Sequence, residues 1–332
     1  MTNIFYIGYE PKTVEYILED KNNKIIAVAI LDILNLRTFN PINIFYYFLY
    51  SSRLNKKKLI ILEYLLYKIC YFFGFGTTGV YKRYKNYILS LYNNNIQVWD
   101  IKGDDCAYKT KKEIDLIIVN IWGLLDNKIF TAPKLGSINI HPSKLPKNIG
   151  AIPTLWSLKN KEKESAVSYI YITDKGIDLG DIIRQDIFTI YERDNIIDIE
   201  KRVLEIIKNT INNVIEAIIN RDLKIIKQDL SQSTKTAKYE VYREIKPELE
   251  SSEDILNKIK GYPYVIYGEY CFVLLNNRKI YLKNIHKAKS DKYKRVTSLS
   301  FKCLDDIFLY TNLFIDVSIL DSIFIIFYKL RK

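Results

Sequence analysis

The sequence predicts an α/β fold: a doubly wound, mostly parallel sheet followed by a smaller β-rich, barrel-like C-terminal domain. Three observations carry this. The first third alternates apolar runs of strand length with segments of helical spacing, as a parallel sheet flanked by helices requires. Beyond residue 238 the apolar period changes from about 3.6 to about 2. A chain of 332 residues, 48% of them hydrophobic, is also long enough for two domains of roughly 100–200 residues each.

The elements follow in chain order. "NIFYIG" (3–8) is an apolar strand ending at Gly8, "PKTVEYILED" (11–20) has helical spacing at Val14, Ile17 and Leu18, and "KIIAVAIL" (24–31) is a second buried strand. Further strands are expected at 96–101, 113–123 and 138–141, then a short helix at 153–160. "AVSYIYIT" (166–173) and "IIRQDIFTI" (182–190) read as strands on either side of the turn "DKGIDLGD" (174–181). Asp194 is expected to cap a long helix whose apolar positions Ile196, Ile199, Val203, Ile207, Ile211, Val214 and Ile218 recur every three or four residues. The polar stretch 227–238 reads as a linker. After it come a helix at 253–261, a hairpin over 270–286 turning at Asn276-Asn277, and strands in "VTSLSF", "DIFLY" and "SIFIIFYKL". The expected domains are thus 1–226, interrupted at about 38–92, and 239–332.

Composition narrows the function classes. The net charge of +12 suits an anionic partner, although a chain rich in Lys, Asn and Ile acquires such charge by composition alone. The four cysteines, Cys70, Cys106, Cys271 and Cys303, have neither disulfide-framework nor zinc-ligand spacing, so no metal is expected. The GxGxxG phosphate fingerprint is missing after the first strand, so neither is a dinucleotide cofactor. With no leader-like start, and its longest charge-free aromatic stretch (38–52) shorter than the ~20 residues of a spanning helix, the chain is expected to be soluble and cytoplasmic. Segment 38–92 sets eight basic residues against the single acid Glu63, interleaved with aromatics. Packing of those aromatics on the sheet or a second subunit is the favoured reading, and contact with an anionic membrane surface the alternative.

Only two histidines occur, and one stands in "INIHPSKLP" (138–146). Alternate strand residues share a face, so Asn139 and His141 point the same way, and Pro142 ends the strand immediately after the histidine. Sheets of this class hold ligands at the C-terminal ends of their strands. An amide beside an imidazole suits acyl transfer, since both can hydrogen-bond an oxyanion and the imidazole can take a proton from an attacking amine. A hydrogen-bonded strand end accounts for the same two residues equally well. Asp178, between Gly176 and Gly180, is the candidate carboxylate to assist the imidazole.

"LGSINIHPSKLPKNIGAIPTLW" followed by "ITDKGIDLGDII" resembles the signature of the formyltransferase family that uses 10-formyltetrahydrofolate. The similarity runs from about residue 95 to 240. It implies that Asn139, His141 and Asp178 are the catalytic trio. It also implies that Ile121, Trp122, Gly123, Leu124, Leu145, Pro146, Asp174, Gly176 and Ile177 line a folate pocket, and that the enzyme is a homodimer. Two positions depart from the family pattern: Lys144 replaces a leucine, and Ile149 replaces an arginine common before the glycine matching Gly150. Relatives formylate a nucleotide-linked amino sugar, methionyl-tRNA or a purine precursor, or give the formyl group to water. The small purine enzyme lacks a C-terminal domain and drops out. Trp156, in "IPTLWSL", resembles the pattern of enzymes acting on nucleotide-linked amino sugars, so that acceptor is favoured and methionyl-tRNA is the alternative. A hydrolase and a catalytically dead binding protein complete the set. His286 is expected to be a surface residue.

Overall fold

A computed structural model describes residues 1–8, 11–29, 96–99, 104–120, 125–236, 244–261, 271–275, 278–282, 285–287, 299–311 and 314–316. They fall into two compact units, residues 1–29 with 96–236 and residues 244–316. The interruption at 38–92, the turn at Asn276-Asn277 and the strand expected in "SIFIIFYKL" lie outside the described residues.

The first unit is a seven-stranded sheet ordered β3-β2-β1-β4-β5-β6-β7. Its strands are β1 (Thr2–Gly8), β2 (Asn23–Ala29), β3 (Gln97–Val98), β4 (Leu116–Asn120), β5 (Ser137–His141), β6 (Glu164–Tyr171) and β7 (Ile182–Thr189). The first five are parallel, and β6 and β7 continue the sheet antiparallel. The order reverses between β1 and β4, as in doubly wound folds. The central strands are buried on both faces: Ile4 through Ile7 and all of β4 are covered, which is why they read as unbroken apolar runs.

The expected mostly parallel, doubly wound sheet is therefore present. Phe5 and Ile7 of β1 join Ala27, Ile117 and Trp99 in one cluster with Cys106 of α2 (Asp104–Glu113) and Ile129 of α3 (Asn127–Phe130). α1 (Pro11–Leu18) and α4 (Pro153–Lys159) each pack on the long α5 (Ile196–Asn220), which also lies against β6 and β7. Helix α2 went unread because "DDCAYKTKKE" carries almost no apolar stripe. The cap of α5 is Asn195, not Asp194. Its side chain accepts from the Ile197 and Asp198 N–H groups, and Asp198 bonds back to the Asn195 N–H. Asp194 instead accepts from the Tyr191 N–H and from Arg202.

The second unit holds α6 (Ser252–Gly261) and two three-stranded antiparallel sheets, ordered β10-β12-β11 and β13-β9-β8. The hairpin read over 270–286 is present as β8 (Cys271–Leu275) paired with β9 (Arg278–Leu282). The other strands are β10 (His286–Lys287), β11 (Leu299–Lys302), β12 (Phe308–Thr311) and β13 (Phe314–Asp316). No helix among the described residues is long and apolar enough to cross a membrane.

Candidate active site

β5 delivers Asn139 and His141 to one face of the sheet, and the turn that follows fixes its end. The Ser143 N–H donates to the His141 carbonyl at 2.9 Å and the Ser143 hydroxyl to the Lys147 carbonyl at 2.7 Å. Ser168 of β6 then donates to the Ser143 carbonyl at 2.6 Å. Because β6 runs antiparallel, the loop after it emerges beside the start of β5, where the Ile172 N–H donates to the Ser137 carbonyl at 2.8 Å. That loop must fold back over the sheet to bring Asp178 to Asn139 and His141. Gly180 permits the fold: a Cβ there would overlap the Tyr171 carbonyl oxygen. Asp178 itself takes a left-handed backbone, φ 55°, a conformation uncommon outside glycine and tolerated by Asp and Asn.

The three residues expected to act together are in contact. Asn139 Nδ2 donates to Asp178 Oδ1 at 3.0 Å. Asp178 Oδ2 accepts from the Gly150 N–H at 3.0 Å and lies 3.5 Å from His141 Nδ1. The other imidazole nitrogen, Nε2, lies 3.1 Å from the Asn148 carbonyl. A carbonyl only accepts, so Nε2 carries a hydrogen. His141 is only 3% exposed, and this burial lowers its pKa below the ordinary histidine value, against the opposing effects of the Asp178 charge and the Asn148 carbonyl. The neutral imidazole protonated on Nε2 therefore turns its Nδ1 lone pair toward Asp178. The Asn139 carbonyl oxygen, Oδ1, is buried without a hydrogen-bond partner. Such an atom is costly to leave unsatisfied, and it suits a donor brought by a ligand.

Around this centre, Leu145, Ile149, Ile170 and Ile182 form a small apolar cluster with Leu179 against it. Ile149, at the position where an arginine is common, is thus a core residue. Lys144 forms an ion pair with Glu164. Pro146 is half-buried, whereas Asp174, Gly176 and Ile177 lie on the exposed side of the turn that carries Asp178. Ile121, Trp122, Gly123 and Leu124 lie outside the described residues. Trp156 is buried in α4 with Lys159 Nζ 4.3 Å above its ring.

Sequence reasoning missed Asn148, Gln228 and Thr234. The Asn148 side chain donates to Ser157 and to both carboxylate oxygens of Glu162, and its backbone is left-handed at φ 57°. Asn two residues before a glycine was a legible turn signal. Gln228 and Thr234 were hidden in a stretch whose polarity reads as a linker.

The class defined so far is a doubly wound α/β protein with a buried Asn–His–Asp cluster on one sheet face. Comparison with known proteins shows what the chain is similar to. Residues 104–215 match the formyl transferase family. Relatives include the methionyl-tRNA formyltransferase of Kosmotoga olearia, 34% identical over 159 residues, 47% of this chain and 51% of that one. The corresponding protein of Clostridium tetani is 33% identical over 204 residues, 59% and 64% of the two chains. The chain spans about half the length of most of the curated relatives it matches. Similar solved structures include a 4-N formyltransferase from Francisella tularensis, with TM-score 0.59, 18% identity and coverage of 85% of this chain and 97% of that one. Another is an N-formyltransferase from Helicobacter canadensis in complex with folinic acid and dTDP-3-aminofucose, with TM-score 0.58, 19% identity and coverage of 94% and 99%. At these identities the structures speak for the fold. The chain resembles the formyltransferases, among them enzymes named for methionyl-tRNA and for sugars.

Proposed function

We propose that the protein is an N-formyltransferase that moves the formyl group of 10-formyltetrahydrofolate to an amine. The observation that carries this reading is the buried contact among Asn139, His141 and Asp178. With Nε2 held on the Asn148 carbonyl, proton traffic at His141 runs through Nδ1. The neutral acceptor amine attacks the formyl carbon, a C–N bond forms, and the carbonyl electron pair moves onto oxygen. The second Asn139 N–H stabilises that oxyanion, since its first is held by Asp178. The Nδ1 lone pair accepts the proton lost by the amine, and Asp178 stabilises the resulting imidazolium. Collapse of the intermediate breaks the bond to folate N10, which takes up a proton, releasing tetrahydrofolate and the formylated amine. The apolar Leu145 and Ile149 beside the cluster suit one wall of a pocket for a flat pterin.

The acceptor we propose is the amine of a nucleotide-linked amino sugar, which the "IPTLWSL" pattern around Trp156 favours. The sequence relatives named as methionyl-tRNA formyltransferases favour methionyl-tRNA, but their similarity covers 47% and 59% of this chain rather than the whole of it. In this reading residues 1–226 are the catalytic domain, and 239–332 a separate β-rich module that does not supply the central chemistry. Incubation with 10-formyltetrahydrofolate and either a panel of nucleotide amino sugars or charged initiator tRNA decides between them. Formyl transfer to no amine, with both donor and protein intact, ends the reading.

A further inference from the structure

The segment expected to be a linker lies along both loops of the site. Ile226 exchanges two backbone hydrogen bonds of 2.9 Å with Ile182 at the start of β7. Gln228 Nε2 then donates to two carbonyls of the turn that carries the carboxylate, those of Asp178 at 2.8 Å and Gly180 at 2.6 Å. Asp229 accepts from the Ser231 N–H and turns the chain through a short 3-10 turn, Leu230–Gln232. From there the chain runs beside residues 146–149. The Ile149 N–H donates to the Thr234 carbonyl at 2.8 Å, the Thr236 N–H to the Ile149 carbonyl at 2.8 Å, and the Asn148 N–H to the Thr234 hydroxyl at 2.8 Å. Asn148 is the residue whose carbonyl holds His141 Nε2.

Apolar burial does not explain this course, because Ile225, Ile226 and Leu230 are 39%, 49% and 48% exposed. What fastens the segment is a set of directed polar bonds, and they end on the two loops that carry the His141–Asp178 pair.

We propose that residues 226–236 form a strap that positions this pair, Gln228 acting on Asp178 through its backbone and Thr234 acting on His141 through Asn148. The inference rests on the formyl-transfer reading only for the consequence it has on rate. Gln228 and Thr234 are positioning residues and touch no substrate.

The test uses the whole chain and the fact that it contains only His141 and His286, so that two imidazoles give the entire histidine nitrogen spectrum. The exposed His286 is assigned with His286→Gln. Thr234→Val removes the acceptor for the Asn148 N–H, Thr234→Ser keeps it, and Gln228→Met removes both donations at similar volume. Thr234→Val and Gln228→Met are expected to move the His141 nitrogen shifts or their titration. They should lower kcat on the order of 10- to 100-fold, as small misplacements of reacting groups do, with KM within about twofold; Thr234→Ser should recover most of the Thr234→Val loss. Folded Thr234→Val and Gln228→Met proteins with wild-type His141 signals would overturn the strap, as would a Thr234→Ser protein as perturbed as Thr234→Val. Should Gln228→Met not fold, the two Thr234 variants decide alone. The imidazole signals read the strap even if no amine is formylated, so the two readings fail separately.

Discussion

At the residue scale the site is a question of which nitrogen holds a proton. His141 bonded through Nε2 to the Asn148 carbonyl and buried beside Asp178 is held neutral by burial, and its Nδ1 lone pair faces Asp178. In the proposed reaction the working form is the neutral one, and burial moves its protonation downward. Activity is therefore expected to be full above neutrality and to fall as pH drops through a midpoint lower than the ordinary histidine value of 6.5. A kcat/KM profile whose acid limb lies above that value counts against this account. Asn139→Ala and His141→Ala are each expected to lose about 10²–10³ in turnover while still folding, measured as formyl product per time at saturating donor. His286→Ala, at an exposed strand end, is expected to turn over at the wild-type rate.

At the scale of elements, two devices set the frame for those residues. The first is the capping box of Asn195 and Asp198 at the start of the 25-residue α5. Asn195→Ala is expected to cost about 1 kcal/mol and to lower Tm by roughly 2–4 °C, with little effect on KM. The second is Gly180, where any side chain would meet the Tyr171 carbonyl. Gly180→Ala is expected to displace the Asp178 turn and abolish most activity, while circular dichroism reports an intact sheet. Much of this was legible in the sequence. Apolar runs marked the buried strands, the three-to-four-residue period marked α5, and the glycines around Asp178 marked a tight loop. What escaped were features whose signal is not hydrophobic. The polar α2 has no stripe to read, and residues 226–236 look like any solvated connection. The contact between Asp178 and β5 is set by antiparallel pairing through β6, which spacing along the chain does not encode.

For the whole molecule, the net charge of +12 bears on the acceptor. A tRNA engages many phosphates, so its binding weakens steeply with salt, in proportion to the phosphates neutralised; a sugar nucleotide presents only a few charges. If the acceptor is a nucleotide-linked amino sugar, a plot of log kcat/KM against log salt concentration is expected to be shallow. A steep slope supports tRNA. The same scale shows where sequence reading stops. Doubly wound order and a β-rich tail follow from alternation and period, but the acceptor does not, because charge and hydrophobic pattern are alike for a sugar nucleotide and a tRNA.

The backbone around the active centre has an evolutionary consequence. Asn148, Ile152 and Asp178 all adopt left-handed conformations, with φ of 57°, 53° and 55°. Asn and Asp tolerate such geometry, whereas for the β-branched Ile152, among the residues least suited to it, it costs roughly 1–2 kcal/mol. Ile152 is therefore a small store of strain at the start of α4, two residues beyond the Gly150 N–H that meets Asp178. A lineage released from the need for that turn is expected to relax this position first, toward a residue that accepts the left-handed backbone such as Asn or Gly. Thermal melts of Ile152→Asn beside the wild type would set the relief of that backbone strain against the loss of a buried apolar side chain.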